Sequence, residues 1–326
     1  MTRPAVLVTG SSGFIGAHLV AAFGDREVFA ADLGPAPTPV RQWWDAMGVS
    51  PLEITLDVTD ARRVRECLAA KAVSVVVHAA AVTNGPEVLI RRVNFEGTRH
   101  VLDATPADVQ IVVLSSGSVY EGQECADTGH TLLETLDLGQ PLRRTSAYAS
   151  SKQAVEELAC TCRGNGRDVR ILRIAAAFGP LERDTSSRRR MSPIHTAIRA
   201  AVAGARIAAP SLGTDLTWAP DVANWVRAIS DVDAERFAAA TPAGGPGHGT
   251  VNVGLGALVP LSGLVESLNR LRPDISNCEQ VHQMKAPDRR CALDTARLDN
   301  VIAPRKPTPV AGAVAEYARW LSTHPF

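Results

Sequence analysis

Tyr148 and Lys152, in Tyr148-Ala149-Ser150-Ser151-Lys152, are the residues best placed for proton chemistry. A spacing of four puts the phenol and the ammonium on one helix face, a turn apart. An ammonium beside a phenol favours the phenolate. A tyrosine with an ordinary pKa of about 10 can then act as a base nearer neutrality. Such a spacing is common by chance. Here Tyr148 is one of three tyrosines in the chain. Ser115-Ser116 ends a preceding predicted strand, where a serine can hydrogen-bond a reacting hydroxyl or carbonyl.

A second constellation opens the chain. Thr9-Gly10-Ser11-Ser12-Gly13-Phe14-Ile15-Gly16 joins a predicted strand, Ala5 to Thr9, to a predicted helix, Phe14 to Phe23. Gly10 permits the tight turn, Gly13 lets backbone approach a pyrophosphate, and Gly16 lets the helix pack close on the strand. The helix N-terminus offers free N–H groups to the phosphates. Ser12, Phe14 and Ile15 are expected to touch the same ligand. A glycine motif alone is weak, but between strand and helix it has the context a dinucleotide site requires. Asp32 ends the second strand, about twenty residues beyond Gly10, where a carboxylate accepts from the adenosine ribose. Leu33, a further expected contact, is followed by Gly34-Pro35, with no Arg to meet a 2′-phosphate. The expected cofactor is therefore NAD rather than NADP. Its oxidised nicotinamide would bring Tyr148 a further positive charge.

The elements that must hold these residues are legible as alternation. Val28 to Ala31, Leu52 to Leu56, Val73 to His78, Val109 to Ser115 and Val169 to Ile174 read as strands. Several are near-continuous β-branched runs, as in strands covered on both faces. Helical patterns near Asp60 to Ala69, Glu87 to Ala104 and Thr145 to Cys162 separate them. The expected fold is α/β, a Rossmann doubly wound parallel sheet with a smaller C-terminal substrate-binding domain. The NAD-binding domain is expected over residues 1–174, with returns near 213–230 and 250–256. Residues 175–326 are mainly the substrate domain. After Gly179-Pro180 an Arg-rich loop over 181–192 precedes predicted helices near Pro193 to Ala203, Ala219 to Ile229, Leu261 to Leu271 and Val310 to Leu321. Residues 243–249 read as a Gly/Pro-rich turn.

With these motifs in place the chain resembles the extended short-chain dehydrogenase/reductases, specifically the NAD-dependent epimerase/dehydratase family, over nearly its whole length. The resemblance implies cofactor contacts at Asp57-Val58, at Ala79-Ala80-Ala81 after His78, at Asn94 and at Ala175. It makes Ser116, three before Val119 in Ser116-Gly117-Ser118-Val119-Tyr120, the catalytic serine beside Tyr148 and Lys152. Gly117, Ser118, Ala176 and Trp218 are then substrate contacts, with Thr83 a further candidate. Family members usually dimerise through two helices flanking the active site, here Glu87 to Ala104 and Thr145 to Cys162, so a four-helix homodimer contact is expected.

The departures narrow the chemistry. The 4,6-dehydratases of the family place Asp and Glu after the catalytic Thr, where this chain has Gly117 and Ser118. Decarboxylating members use a Glu at the position of Ser118. Nucleotide-sugar enzymes carry an Asn at Ala176 and an Arg at Thr214. Arg183 and Arg188 to Arg190, in the loop bordering the substrate cleft, read as a solvated basic loop or as captors of a carboxylate or phosphate. His78 reads as a buried strand-end histidine, and Trp43-Trp44 as packing residues.

Lys and Arg number 34 against 34 Asp and Glu, so no net field attracts nucleic acid or an anionic membrane surface. The apolar runs are too short to span a bilayer, and no signal peptide is read at the N-terminus. A cytoplasmic location and six reduced cysteines follow as expectations. Cys160 and Cys162 lack partners for a metal site. The expected activity is reversible hydride transfer at a secondary alcohol of a sugar-like or hydroxy-acid substrate. Alternatives are a nucleotide-sugar epimerase with tightly bound NAD and a non-catalytic NAD-sensing scaffold.

Overall fold

A computed structural model describes residues 4–123, 131–136, 138, 145–189, 191–203, 213–242, 247–260, 266, 269, 291–302 and 304–324. The apolar runs become strands β1 (Ala5–Thr9), β2 (Val28–Asp32), β3 (Leu52–Thr55), β4 (Val73–His78) and β5 (Gln110–Ser116). Between them lie helices α1 (Phe14–Ala22), α2 (Thr38–Ala46), α3 (Ala61–Ala69), α4 (Glu87–Ile90) and α5 (Gly97–Ala104). Then come β6 (Thr131–Leu132), α6 (Ala147–Gly164), β7 (Val169–Ile174), β8 (Ala176–Phe178), α7 (Pro193–Val202), β9 (Gly213–Thr214), β10 (Leu216–Trp218), α8 (Ala219–Asp231), α9 (Ala234–Ala240) and β11 (Thr250–Val253).

Seven strands form one sheet in the order β11-β7-β5-β4-β1-β2-β3. Every pairing in it is parallel. All five residues of β1 and all six of β7 are buried, because helices cover both faces. One face packs on α1 and α8, the other on α3, α5 and α6. The strand order reverses between β1 and β4, which places the ligand crevice at the carboxyl ends of those strands.

A second apolar cluster joins β8, α7, β10 and the C-terminal helix Val310–Thr323. The chain passes from β7 to β8 across the single residue Ala175. In α2, Trp44 is buried and its Nε1 donates to the Ala17 carbonyl at 3.0 Å. The helix expected over 87–104 contains a π-helical turn, Arg91–Glu96. Apart from residues 266 and 269, the expected helix over 261–271 lies outside the described residues, as does Arg190. Cys67, Cys160 and Cys162 are free thiols, but Cys291 is disulfide-bonded, against the expectation of reduced cysteines. No described helix is long and apolar enough to cross a membrane.

Candidate active site

A cleft of about 1890 Å³ runs along the carboxyl ends of the strands. At one end lies the glycine turn. Gly10 has φ +67°, and a Cβ there would lie 2.6 Å from Ala80 Cα. A Cβ on Gly16 would collide with the Gly10 carbonyl oxygen. The turn is thus closed tightly enough that only glycine fits. Asp32 Oδ2 accepts from Ser12 N and Oδ1 from Leu33 N, each at 2.8 Å. Gly13, Phe14, Ile15, Asp57, Val58, Ala79, Ala80, Ala81 and Ala175 line the same cleft. These residues fit a dinucleotide: a glycine cradle, a helix N-terminus and a carboxylate at the second strand end.

Asn94 departs from expectation. It is buried beneath the cleft, not in its wall. Its Oδ1 accepts from Val82 N at 2.8 Å, and its Nδ2 donates to Val82 O at 3.0 Å and Ser151 Oγ at 2.9 Å. It braces the segment after β4 against α6, and the π-helical turn puts it there.

At the other end stand Ser116, Tyr148 and Lys152. Ser146 caps α6 by accepting from Ala149 N at 3.1 Å, which sets the helix start beside β5. Tyr148 hydrogen-bonds Ser116, whose Oγ also accepts from Ser118 N at 3.1 Å. Burial pushes the Tyr148 phenol above the usual tyrosine range. Ser116 and the Arg188 guanidinium oppose that shift, while Glu121 adds to it. Lys152 Nζ lies 5.9 Å from the Tyr148 ring centroid and donates to the Leu114 carbonyl at 2.7 Å. Burial brings this lysine down to about 8, with Glu156 opposing. Arg188 thus adds a cation acting on the phenol to the Lys152 ammonium that the sequence pointed to.

Behind these groups runs a polar network invisible to motif reading. Ser115 Oγ donates to Glu156 Oε1 at 2.5 Å, and Glu156 pairs with Arg173 at 2.7 Å. Arg173 Nη1 donates to the Tyr120 hydroxyl, which donates to Asn252 Oδ1 at 2.8 Å. The network ties the end of β5 to α6, β7 and β11. Its members are spread over 138 residues of chain, with Ser115 at one end and Asn252 at the other, so no local signal marks it.

The expected substrate residues separate. Gly117, Ser118, Ala176 and Arg188 line the cleft. Thr83 also lines it, but its N and Oγ1 both donate to the Ser187 carbonyl, at 2.8 and 3.0 Å. Trp218 does not line it: it is buried between Phe178 and Tyr317, because β10 pairs with β8 in the second core. Arg183 stands at the glycine turn, where Nη2 donates to the Ser12 carbonyl at 2.8 Å. Burial lowers its guanidinium, and Asp32 opposes that. A cation therefore does reach Asp32, from a loop about 150 residues away rather than from the residues after it.

A doubly wound parallel sheet, a glycine turn with an acidic second strand end, and a Tyr-Lys helix beside a serine define a dinucleotide-dependent oxidoreductase class. The chain belongs to the NAD dependent epimerase/dehydratase family, whose profile matches residues 6–254. Sterol-4-alpha-carboxylate 3-dehydrogenase, decarboxylating, of Candida albicans is 27% identical over 190 residues, 55% of this chain and 52% of that protein. The chain thus spans about half the length of the curated relatives it matches. MoeE5, solved in complex with UDP-glucuronic acid and NAD, is 27% identical with a TM-score of 0.70, covering 97% of this chain and 98% of that one. The UDP-glucose-4-epimerase of Stenotrophomonas maltophila, solved with bound NAD and formylated UDP-arabinopyranose, shares the fold at 19% identity and a TM-score of 0.78, over 98% of both chains.

Proposed function

We propose that this protein catalyses reversible hydride transfer at a secondary alcohol carbon of a compact, sugar-like or hydroxy-acid substrate, with NAD as cofactor. The observation carrying this reading is the Ser116-Tyr148-Lys152 set in one cleft with the glycine turn. NAD, when bound, supplies the hydride acceptor or donor. Gly10, Gly13 and Gly16 with Asp32 hold it at one end, and Tyr148 and Lys152 at the other. Tyr148 Oη takes the alcohol proton or returns it. Ser116 Oγ, already hydrogen-bonded to that phenol, orients the alcohol or ketone and stabilises charge on its oxygen. Lys152 keeps a positive charge near the phenol and holds the nicotinamide ribose.

Ala176 and Thr214, where nucleotide-sugar enzymes carry Asn and Arg, support a substrate without a nucleotide arm, and Gly117 and Ser118 speak against dehydration and decarboxylation. Arg188, fixed in the cleft wall, supports one bearing a carboxylate. A second reading, a nucleotide-sugar epimerase with retained NAD, is favoured by the full-length similarity to MoeE5. The domain division at residue 174, cytosolic residence and a homodimer built on α4, α5 and α6 belong to the same proposal. Tyr148→Phe should leave NAD binding nearly unchanged and lower turnover about 100-fold or more. Turnover near wild type would remove Tyr148 from the mechanism, whereas a wild type that binds NAD and turns over no alcohol or ketone would favour the NAD-sensing scaffold. Titration with uridine, guanosine and cytidine diphosphates separates the two enzymes. Micromolar binding, competitive with substrate and with NAD present, selects the epimerase.

A further inference from the structure

The turn after β8 contains a clamp that the chemistry above leaves unused. Glu182 is completely buried, which is rare for a carboxylate. Its Oε1 accepts from Ser192 N at 2.5 Å and from Arg188 Nη2 at 2.8 Å. Its Oε2 accepts from Ser192 Oγ at 2.8 Å and from the Tyr317 hydroxyl at 3.4 Å. Leu181, just before it, is completely buried with φ +65°, the one described non-glycine residue in left-handed backbone. Backbone strain of this kind persists only where the surroundings enforce it, and it gathers at functional sites. The turn holding it is closed by Glu182 N on the Gly179 carbonyl at 3.3 Å.

The clamp acts on Arg188. Its guanidinium is held by Glu182 and lies 5.0 Å over the Phe14 ring, at the start of α1. Its backbone N donates to Thr185 Oγ1 at 3.1 Å. A long side chain is thus fixed at several points in the wall of the cleft that also holds Tyr148.

We propose that Glu182 is a positioning residue: by clamping Arg188 over Phe14, it gives the Tyr148 phenol a second fixed cation in addition to Lys152. The groups that bear on the phenol come from several elements. They are Ser116 at the end of β5, Glu121 in the turn that follows it, Lys152 on α6 and Arg188. Lys152 is itself faced by Glu156 and by His78 at the end of β4. Arg188 is the cation supplied by the segment that leads into the second core. The setting of the proton-transfer group therefore depends on both cores being assembled.

The proposal rests on the reading of Tyr148 as the acid/base, but its test needs no turnover. The chain has three tyrosines. Burial raises all three phenols, so the Tyr148 transition is taken as the difference between the wild type and Tyr148→Phe on alkaline titration. Its near-ultraviolet absorbance, assigned by its loss in Tyr148→Phe, gives the midpoint directly. Arg188→Gln should raise that midpoint by about one pH unit, the scale of one charge across a partly solvated cleft. Arg188→Lys should restore most of it. Glu182→Gln keeps the volume and can still accept from Ser192, so the fold is expected to survive. Deleting a carboxylate by charge alone would lower the midpoint, whereas releasing the clamp should raise it. An unmoved midpoint in Arg188→Gln, or an unmoved or lowered one in Glu182→Gln, overturns the proposal. If Glu182→Gln does not fold, Ser192→Ala, which removes one donor to the same carboxylate, should give a smaller rise, and no rise overturns the clamp. An active Tyr148→Phe with shifted midpoints would sink the catalytic reading and leave the clamp standing.

Discussion

Asp32 is where a single carboxylate decides which dinucleotide fits. Both its oxygens accept backbone N–H bonds, from Ser12 and Leu33, so its place is fixed before any ligand arrives. A 2′-phosphate there would meet a like charge, but also the Arg183 guanidinium near by. Asp32→Ala should therefore do more than remove repulsion, because it leaves Arg183 without its counter-charge. NADP affinity should rise roughly tenfold or more, about 1.4 kcal/mol, and fall back in the Asp32→Ala, Arg183→Ala double variant. Equilibrium titration of both cofactors measures this, and a wild type preferring NADP would show that the role given to Asp32 is wrong. At this scale the sequence was informative wherever a residue's own type carries the constraint. Gly10, Gly16 and Asp32 are required by local backbone geometry. The contacts of Arg183, Thr83 and Asn94 were not legible, because their partners, at Ser12, Ser187 and Val82, come from the fold and not from their neighbours.

Among the elements, α4 leaves large apolar side chains in solvent beside α6. The strands and the helix carrying Tyr148 were legible from β-branched runs and the four-residue spacing. The π-helical turn at Arg91–Glu96 was not, because a one-residue widening leaves the apolar period nearly intact. On α4, Val88 is 79% exposed and Leu89 40%. An apolar helix face flanking a second helix is suited to an isologous contact, with each copy supplying the same surface. Sedimentation at micromolar concentration should find a dimer, and Val88→Glu should shift it to monomer. A wild type that sediments only as monomer at that concentration removes the four-helix contact.

The molecule as a whole buries histidines it cannot easily protonate. Burial lowers His18 to about 4 and His78 to about 3. His78 lies between Thr9 and Thr98, and His18 is bonded to the Pro180 carbonyl. The unfolded chain takes up protons at both as pH falls below about 6.5, while the native state does not. Native values depressed in this way mean stability that is full above pH 6.5 and lost on acidification, down to the native pKa values. At pH 5 the loss is about 2 kcal/mol for each residue. Thermal midpoints should fall from pH 7.5 to pH 5, and His18→Gln should flatten that slope. A flat profile in the wild type would contradict neutral burial. The parallel, doubly wound character of the sheet was legible in the alternation of elements. The second core was not, since β8, β10 and the C-terminal helix are short or far apart in sequence and meet only through tertiary packing.

The segment from Arg183 to Ser187 touches both banks of the cleft, at Ser12 and at Thr83. Those contacts close chain loops of 171 and 104 residues. Contacts so distant in sequence form late, because their closure entropy must be met before they contribute. Time therefore divides this protein in a way its geometry does not. During refolding from urea, helical circular dichroism should return in an earlier phase and NAD affinity in a later one. Recovery of both in a single phase would show that the glycine turn binds without its distant partner.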